Sequence, residues 1–154
     1  MASRNWGGTS KTIAFWVLVI LVPVAFIQFT SARNDARVEL NVSQYEQQLD
    51  AIGESGGVVG INFAVGFLRE DGNNVVDTPL GEIVRHISYI AKRIGVEHVA
   101  FGSDFDGALV SDEVGGIQGF PAIVAALAEA GFDEGDIAKI THGNWLRVFG
   151  ATWR

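Results

Sequence analysis

VEHVAFGSDFDG, residues 96–107, starts as a strand and ends as a tight acidic turn. Residues 96–102 carry the strand, which runs straight into Ser103, Asp104, Phe105, Asp106 and Gly107. Upstream, GGVVGINF (56–63) reads as a buried strand of β-branched residues, and the polar, glycine-containing 66–77 as a loop. Between the two strands the spacing predicts a helix, with Thr78 as its cap, Pro79 as its first residue and Gly95 at its close. Ile83, Ile87, Ile90 and Ile94 fall on one face of that helix. Downstream, 121–130 reads as a helix stopped by Gly131, and 133–141 and 144–149 as two short terminal helices. Strand, helix, strand, helix in this order implies parallel βαβ units, hence an α/β fold.

In parallel α/β proteins the carboxyl ends of strands carry the functional groups, and Asp104 stands at such an end. Gly102 and Gly107 let the chain turn tightly around it. The plainer alternative is that Asp104 and Asp106 brace the turn or cap the next helix.

The remaining composition narrows the function classes. With 18 acidic against 11 basic residues the net charge is −7, and no basic stripe interrupts the chain, which argues against a nucleic-acid partner. There is no cysteine, so disulfides, thiolate nucleophiles and cysteine zinc sites are excluded, and any metal would need His, Asp or Glu. Histidines 86, 98 and 142 lie on different predicted elements without paired spacing, too few for a typical four-ligand zinc site. His86 reads as a helix-surface or packing residue, His98 as lying at a strand entrance, and His142 as a helix C-terminal residue favoured by the dipole. Phe101, Phe105, Phe120, Phe149 and Trp153 read as core.

The N-terminus is different in kind. Residues 12–30, TIAFWVLVILVPVAFIQFT, are almost continuously apolar and long enough as a helix to cross a hydrocarbon layer. They read as a single-pass membrane anchor or, given the small residues Thr30, Ser31 and Ala32, as an export signal. Three regions follow: 1–32 as anchor or uncleaved signal, 33–55 as a polar strand and helix connector, and 56–154 as the α/β region.

Taken together, GGVVGINFAVGFL (56–68), DTPLGEIVRHISYIAKRIG (77–95), EHVAFGSDFDG (97–107), GFPAIVAALAEAGFDEGDIAKI (119–140) and HGNWLRVF (142–149) resemble, in order, the closing segments of the membrane (renal) dipeptidase family. The resemblance implies the last βα units of a (β/α)8, TIM-like barrel, dipeptides as substrate, and zinc-assisted hydrolysis with a zinc-bridging water as nucleophile. It implies that Asp104 acts near the substrate's amino end as the catalytic and substrate-binding carboxylate, with Asn62 as a second substrate contact. Asn144 and Trp145 match the family's closing motif and are expected to pack. A shorter resemblance joins 11–29 and 38–50 to the N-terminus of membrane-anchored AAA-type zinc proteases, without their phosphate loop or zinc helix. The two meet at residues 48–51, where a fusion or deletion would preserve one helix.

The family's zinc ligands and its substrate-carboxylate arginine belong to segments with no counterpart in this sequence, so no metal ligand is assigned here. On its own the chain is expected to lack the binuclear centre and not to turn over. The alternative function is a non-catalytic membrane-associated interaction or remnant protein, whose unpaired strand edges invite self-association.

Overall fold

A computed structural model describes residues 41–153. The membrane segment expected at 12–30 and the strand expected before Asn41 lie outside these residues. Among the described residues no helix is long and apolar enough to cross a membrane.

Helix α1 (Val42–Glu54) begins at a capping box: the Asn41 side chain accepts from the Gln44 N–H, and the Gln44 side chain accepts from the Asn41 N–H. The face that buries Leu49 also carries its bonds to a later helix, α3 (Gly81–Ile94). Arg93 of α3 forks onto Asp50 at 2.9 and 2.7 Å, and Tyr89 donates to Glu46 at 3.0 Å. At Gly53 the helices approach so closely that a Cβ would lie 3.2 Å from Ile94. The compact unit therefore begins at Asn41, and the helix read as part of a connector packs as an integral layer of the α/β region.

Strands β1 (Val59–Asn62) and β2 (Val99–Ser103) form a parallel pair, joined through α3 as the alternation of strand and helix required. Ile83, Ile87 and Ile90 are buried, as their spacing predicted, and pack in one core with Ile61, Val99, Phe101, Ile123, Leu127 and Ile140. After β1 comes a single helical turn, α2 (Val65–Leu68). The second strand starts later than the sequence suggested, because Val96–His98 form a 3-10 turn first. Gly95 closes α3 at φ +99°, a backbone geometry open to glycine alone among ordinary residues.

The start of α3 differs from expectation. Thr78 is buried and its hydroxyl donates to the Val75 carbonyl, so it does not cap the helix. The Leu80 N–H instead donates to the Glu113 carboxylate at 2.7 Å, a cap supplied from the loop after β2. A negative group at a helix N-terminus is favoured by both the free N–H groups and the dipole.

Helix α4 (Phe120–Glu129) ends before Gly131, at φ +97°. Helix α5 (Glu134–Ala138) is capped by Asp133, and continues through a π-helical segment (Lys139–Gly143) into α6 (Asn144–Thr152). The two predicted terminal helices are thus one continuous element with an internal π turn. His142 lies in that turn, not at a helix C-terminus, so the dipole argument for it fails. Phe149 and Trp153 are also not core: they are 37% and 75% exposed, and Phe149 stacks on Trp145 at 5.8 Å and on Trp153 at 4.7 Å between centroids.

Lys139 joins α5 to the entry of β2 through Glu97, at 3.0 Å. That hydrogen bond, and then Glu97's own N–H, hold its carboxyl below the ordinary 4.5. A lowered folded value contributes stability above the ordinary value, and this is lost as pH falls through the folded one. Lys139→Met should therefore raise the titration midpoint of Glu97 in carbon-detected NMR. Because both side chains are largely exposed, its effect on overall stability should be small.

Candidate functional site

The carboxyl ends of β1 and β2 meet at a bulge. Ile61 pairs with Phe101, but Asn62 pairs with Ser103, so Gly102 is an extra residue on β2. Only glycine fits there, since a Cβ at Gly102 would lie 2.9 Å from the Gly60 carbonyl carbon. The ladder resumes beyond the bulge with Phe63 N–H donating to the Ser103 carbonyl at 2.9 Å. Ser103 and Asp104 then take φ of +51° and +73°, two consecutive non-glycine residues in the left-handed region. Such conformations cost about 1–3 kcal/mol each and persist where the surroundings over-determine them.

The surroundings here are aromatic. Each polar residue at the strand ends is followed by a phenylalanine packed in one cluster: Phe63 lies 5.4 Å from Phe101, 5.8 Å from Phe105 and 6.2 Å from Phe120. Edge-on ring pairs of this kind add about 0.5–1.5 kcal/mol each beyond their buried area. The cluster holds the backbone down, and Asn62 and Asp104 are left on the other side of it.

The Asn62 Nδ2 group donates to Asp104 Oδ2 at 2.9 Å, while Asn62 Oδ1 accepts from the Ala64 N–H at 2.7 Å. The two residues named from sequence as site residues are therefore in direct contact across the sheet. Asp104 is exposed, and no ion pair among the described residues includes it. Among the described residues its carboxylate accepts from Asn62 and from no backbone N–H, while its carbonyl accepts from the Gly107 N–H within the turn. A hydrogen-bonded, accessible carboxylate at the mouth of a parallel sheet can accept a cationic group.

The loop after β2 folds back over the loop after β1. Val65 N–H donates to the Leu109 carbonyl, Asp112 N–H to the Val76 carbonyl, and the Ser111 hydroxyl to the Thr78 carbonyl. With the Glu113 cap these bonds fasten one wall of the mouth. Sequence reasoning missed Ser111 and Glu113, and the only local signal for them is their polarity within a loop.

The histidines do not converge on this site. His86 bonds the Leu68 carbonyl at 3.0 Å, His98 the Gly57 carbonyl at 2.8 Å, and His142 lies beside the Thr141 hydroxyl. Among the described residues no three His, Asp or Glu side chains are grouped to hold a metal ion, so these residues do not fit a zinc centre. Asn144 is 2% exposed and does more than pack: its Nδ2 donates to the Val96 and Val99 carbonyls at 2.8 and 2.9 Å. Trp145 donates from its indole nitrogen to the Phe101 carbonyl, and a Cβ on Gly60 would lie 3.1 Å from its ring. Beside β1 is a cavity of about 160 Å3, lined by Tyr45, Asn62, Phe67, His86 and Ile90. A larger one, about 630 Å3, is lined by Arg69, Asp71, Glu82 and Arg85, whose charges cancel in the pairs Arg69–Asp71 and Arg85–Glu82.

Parallel strands joined by a helix, with a polar pair at their carboxyl ends, define an α/β protein of the kind that binds ligands at the strand mouth. The chain belongs to the membrane dipeptidase family, peptidase family M19, whose sequence profile matches residues 21–153. That match begins within the apolar run and crosses residues 48–51. An uncharacterized protein in the pqqA 5′ region of Klebsiella pneumoniae is 49% identical over 109 residues, 71% of this chain and 40% of that protein. Dipeptidase ataJ of Aspergillus terreus is 39% identical over 106 residues, 67% of this chain and 25% of its own length. A solved metallo peptidase from Rhodobacter sphaeroides, liganded with a phosphinate mimic of the dipeptide L-Ala-D-Ala, is 41% identical with a TM-score of 0.68, over 70% of this chain and 31% of that one. The chain thus spans between a quarter and two fifths of the length of these relatives.

Proposed function

We propose that this chain carries the amino-end recognition element of a dipeptide hydrolase, with β1 and β2 as adjacent strands of a (β/α)8 barrel. The observation that carries this reading is the exposed Asp104 carboxylate, fastened by Asn62 at the mouth of the sheet. A carboxylate beside a bound ammonium is stabilised in its charged form and fixes the distance to the peptide bond. The part of the reaction assigned to this chain is recognition and orientation. Peptidases of this family are metal-dependent, and zinc is the ion we propose for the whole enzyme, held by residues other than those described here.

The test is calorimetric titration of the full chain with L-Ala-D-Ala and with its N-acetylated form. The free dipeptide should bind and the acetylated one should bind at least about tenfold more weakly, a difference of about 1.4 kcal/mol. Asp104→Asn should remove that preference while leaving the amide spectrum unchanged. Equal binding of the two ligands, or an Asp104→Asn variant that keeps the preference, would overturn the reading.

A second reading is favoured by different residues. Phe67 and Trp153 are 72% and 75% exposed, and among the described residues β1 has β2 as its single strand partner. These features suit a non-catalytic chain that associates with itself at the membrane, anchored through 12–30. Sedimentation of the chain as a monomer at tens of micromolar would sink it.

A further inference from the structure

We propose that Asn62 is a positioning residue for Asp104, and that Gly107 keeps the second carboxylate oxygen open to a ligand's ammonium group. The inference rests on Asp104 being the ammonium acceptor. Asn62 has an amide whose two ends are not interchangeable here. The Ala64 N–H, at 2.7 Å, can be satisfied only by the oxygen, which leaves the NH2 group facing Asp104 Oδ2 at 2.9 Å. A backbone donor at the start of α2 thereby sets the orientation of a side chain that holds a carboxylate on the neighbouring strand. Among the described residues Asn62 is the single side chain that donates to Asp104. The N–H donor on Oδ2 leaves Oδ1 as the oxygen that receives a cation.

Gly107 guards Oδ1. Its N–H donates to the Asp104 carbonyl at 3.2 Å, and a Cβ built on it would lie 2.4 Å from Asp104 Oδ1. That neighbour is the end of a side chain, so Gly107→Ala should swing the carboxylate away and leave the fold intact. Asn62 and Gly107 together hold one oxygen and clear the other.

The experiment reads the Asp104 side-chain couplings by NMR in the full chain, alongside calorimetric L-Ala-D-Ala binding. Asn62→Asp is the principal variant, because it keeps an acceptor for the Ala64 N–H while replacing the donor by a second carboxylate. The Asp104 couplings should move to those of a rotamer turned away from residue 62, since like charges repel. Asn62→Leu should leave them averaged between rotamers. Gly107→Ala should change the Asp104 side-chain couplings and weaken dipeptide binding about tenfold, with the melting temperature nearly unchanged. Asp104 couplings that stay put in a folded Asn62→Asp chain would overturn the proposal. If the couplings change while no variant or wild type binds the dipeptide, the positioning role stands and the dipeptide reading falls.

Discussion

Replacing Asn144 by Leu should lower the unfolding free energy by about 3 kcal/mol, since it leaves the Val96 and Val99 carbonyls without their shared donor. The residue is 2% exposed, so water cannot substitute without opening the packing. Leucine keeps the size and removes the two bonds, which isolates the polar contribution from cavity formation. Urea unfolding followed by circular dichroism reads the change as a lower midpoint at unchanged slope. Trp145→Phe, which removes one bond to the Phe101 carbonyl, should cost less, about 1 kcal/mol plus a packing term. Because the three carbonyls lie in or just before β2, the Asn144 variant should also raise amide exchange at Asp104. A loss below about 1 kcal/mol would mean that α6 does not hold the strand.

Gly119→Ala should be as damaging, for a steric reason. A Cβ there would lie 2.2 Å from the Val114 carbonyl oxygen and 2.7 Å from its Cα, both backbone atoms of a buried residue. No rotamer change relieves such a clash, so the loop after β2 must shift and the Glu113 cap on α3 with it. Overpacking of this kind costs about 1–3 kcal/mol, and the lost charged cap adds about 1 more. Thermal melting of the variant checks the total, and the chemical shift of the Leu80 amide reports the cap directly. The comparison with Gly107→Ala matters, because that Cβ would meet the movable end of a side chain. One glycine is required by the fold and the other by the site.

Much of the architecture is written in local patterns. Isoleucines at helical spacing marked the buried face of α3, and a β-branched run marked β1, because such patterning is a property of neighbouring residues. Asp104 was identified by its place at a strand end. Three misreadings share a cause. Thr78 was the local candidate to cap α3, yet the cap came from Glu113, a residue distant in sequence that a local window does not reach. Phe149 and Trp153 were read as core from hydrophobicity alone, but whether α6 turns that stripe inward depends on what packs against it. The helices at 133–141 and 144–149 were separated at Gly143, whereas a π turn carries the chain through it.

The pairing of Asn62 with Asp104 shows where the division falls. Sequence order, strand and helix periodicity, and turn glycines were enough to establish a parallel α/β unit with a carboxylate at a strand end, since each is a local preference of the backbone. The contact itself required the register of β1 against β2, the extra residue at Gly102 and the left-handed turn at Ser103 and Asp104. Those arise from close packing between segments far apart in the chain, where a single Cβ at Gly102 or the four-phenylalanine cluster decides which atoms can meet.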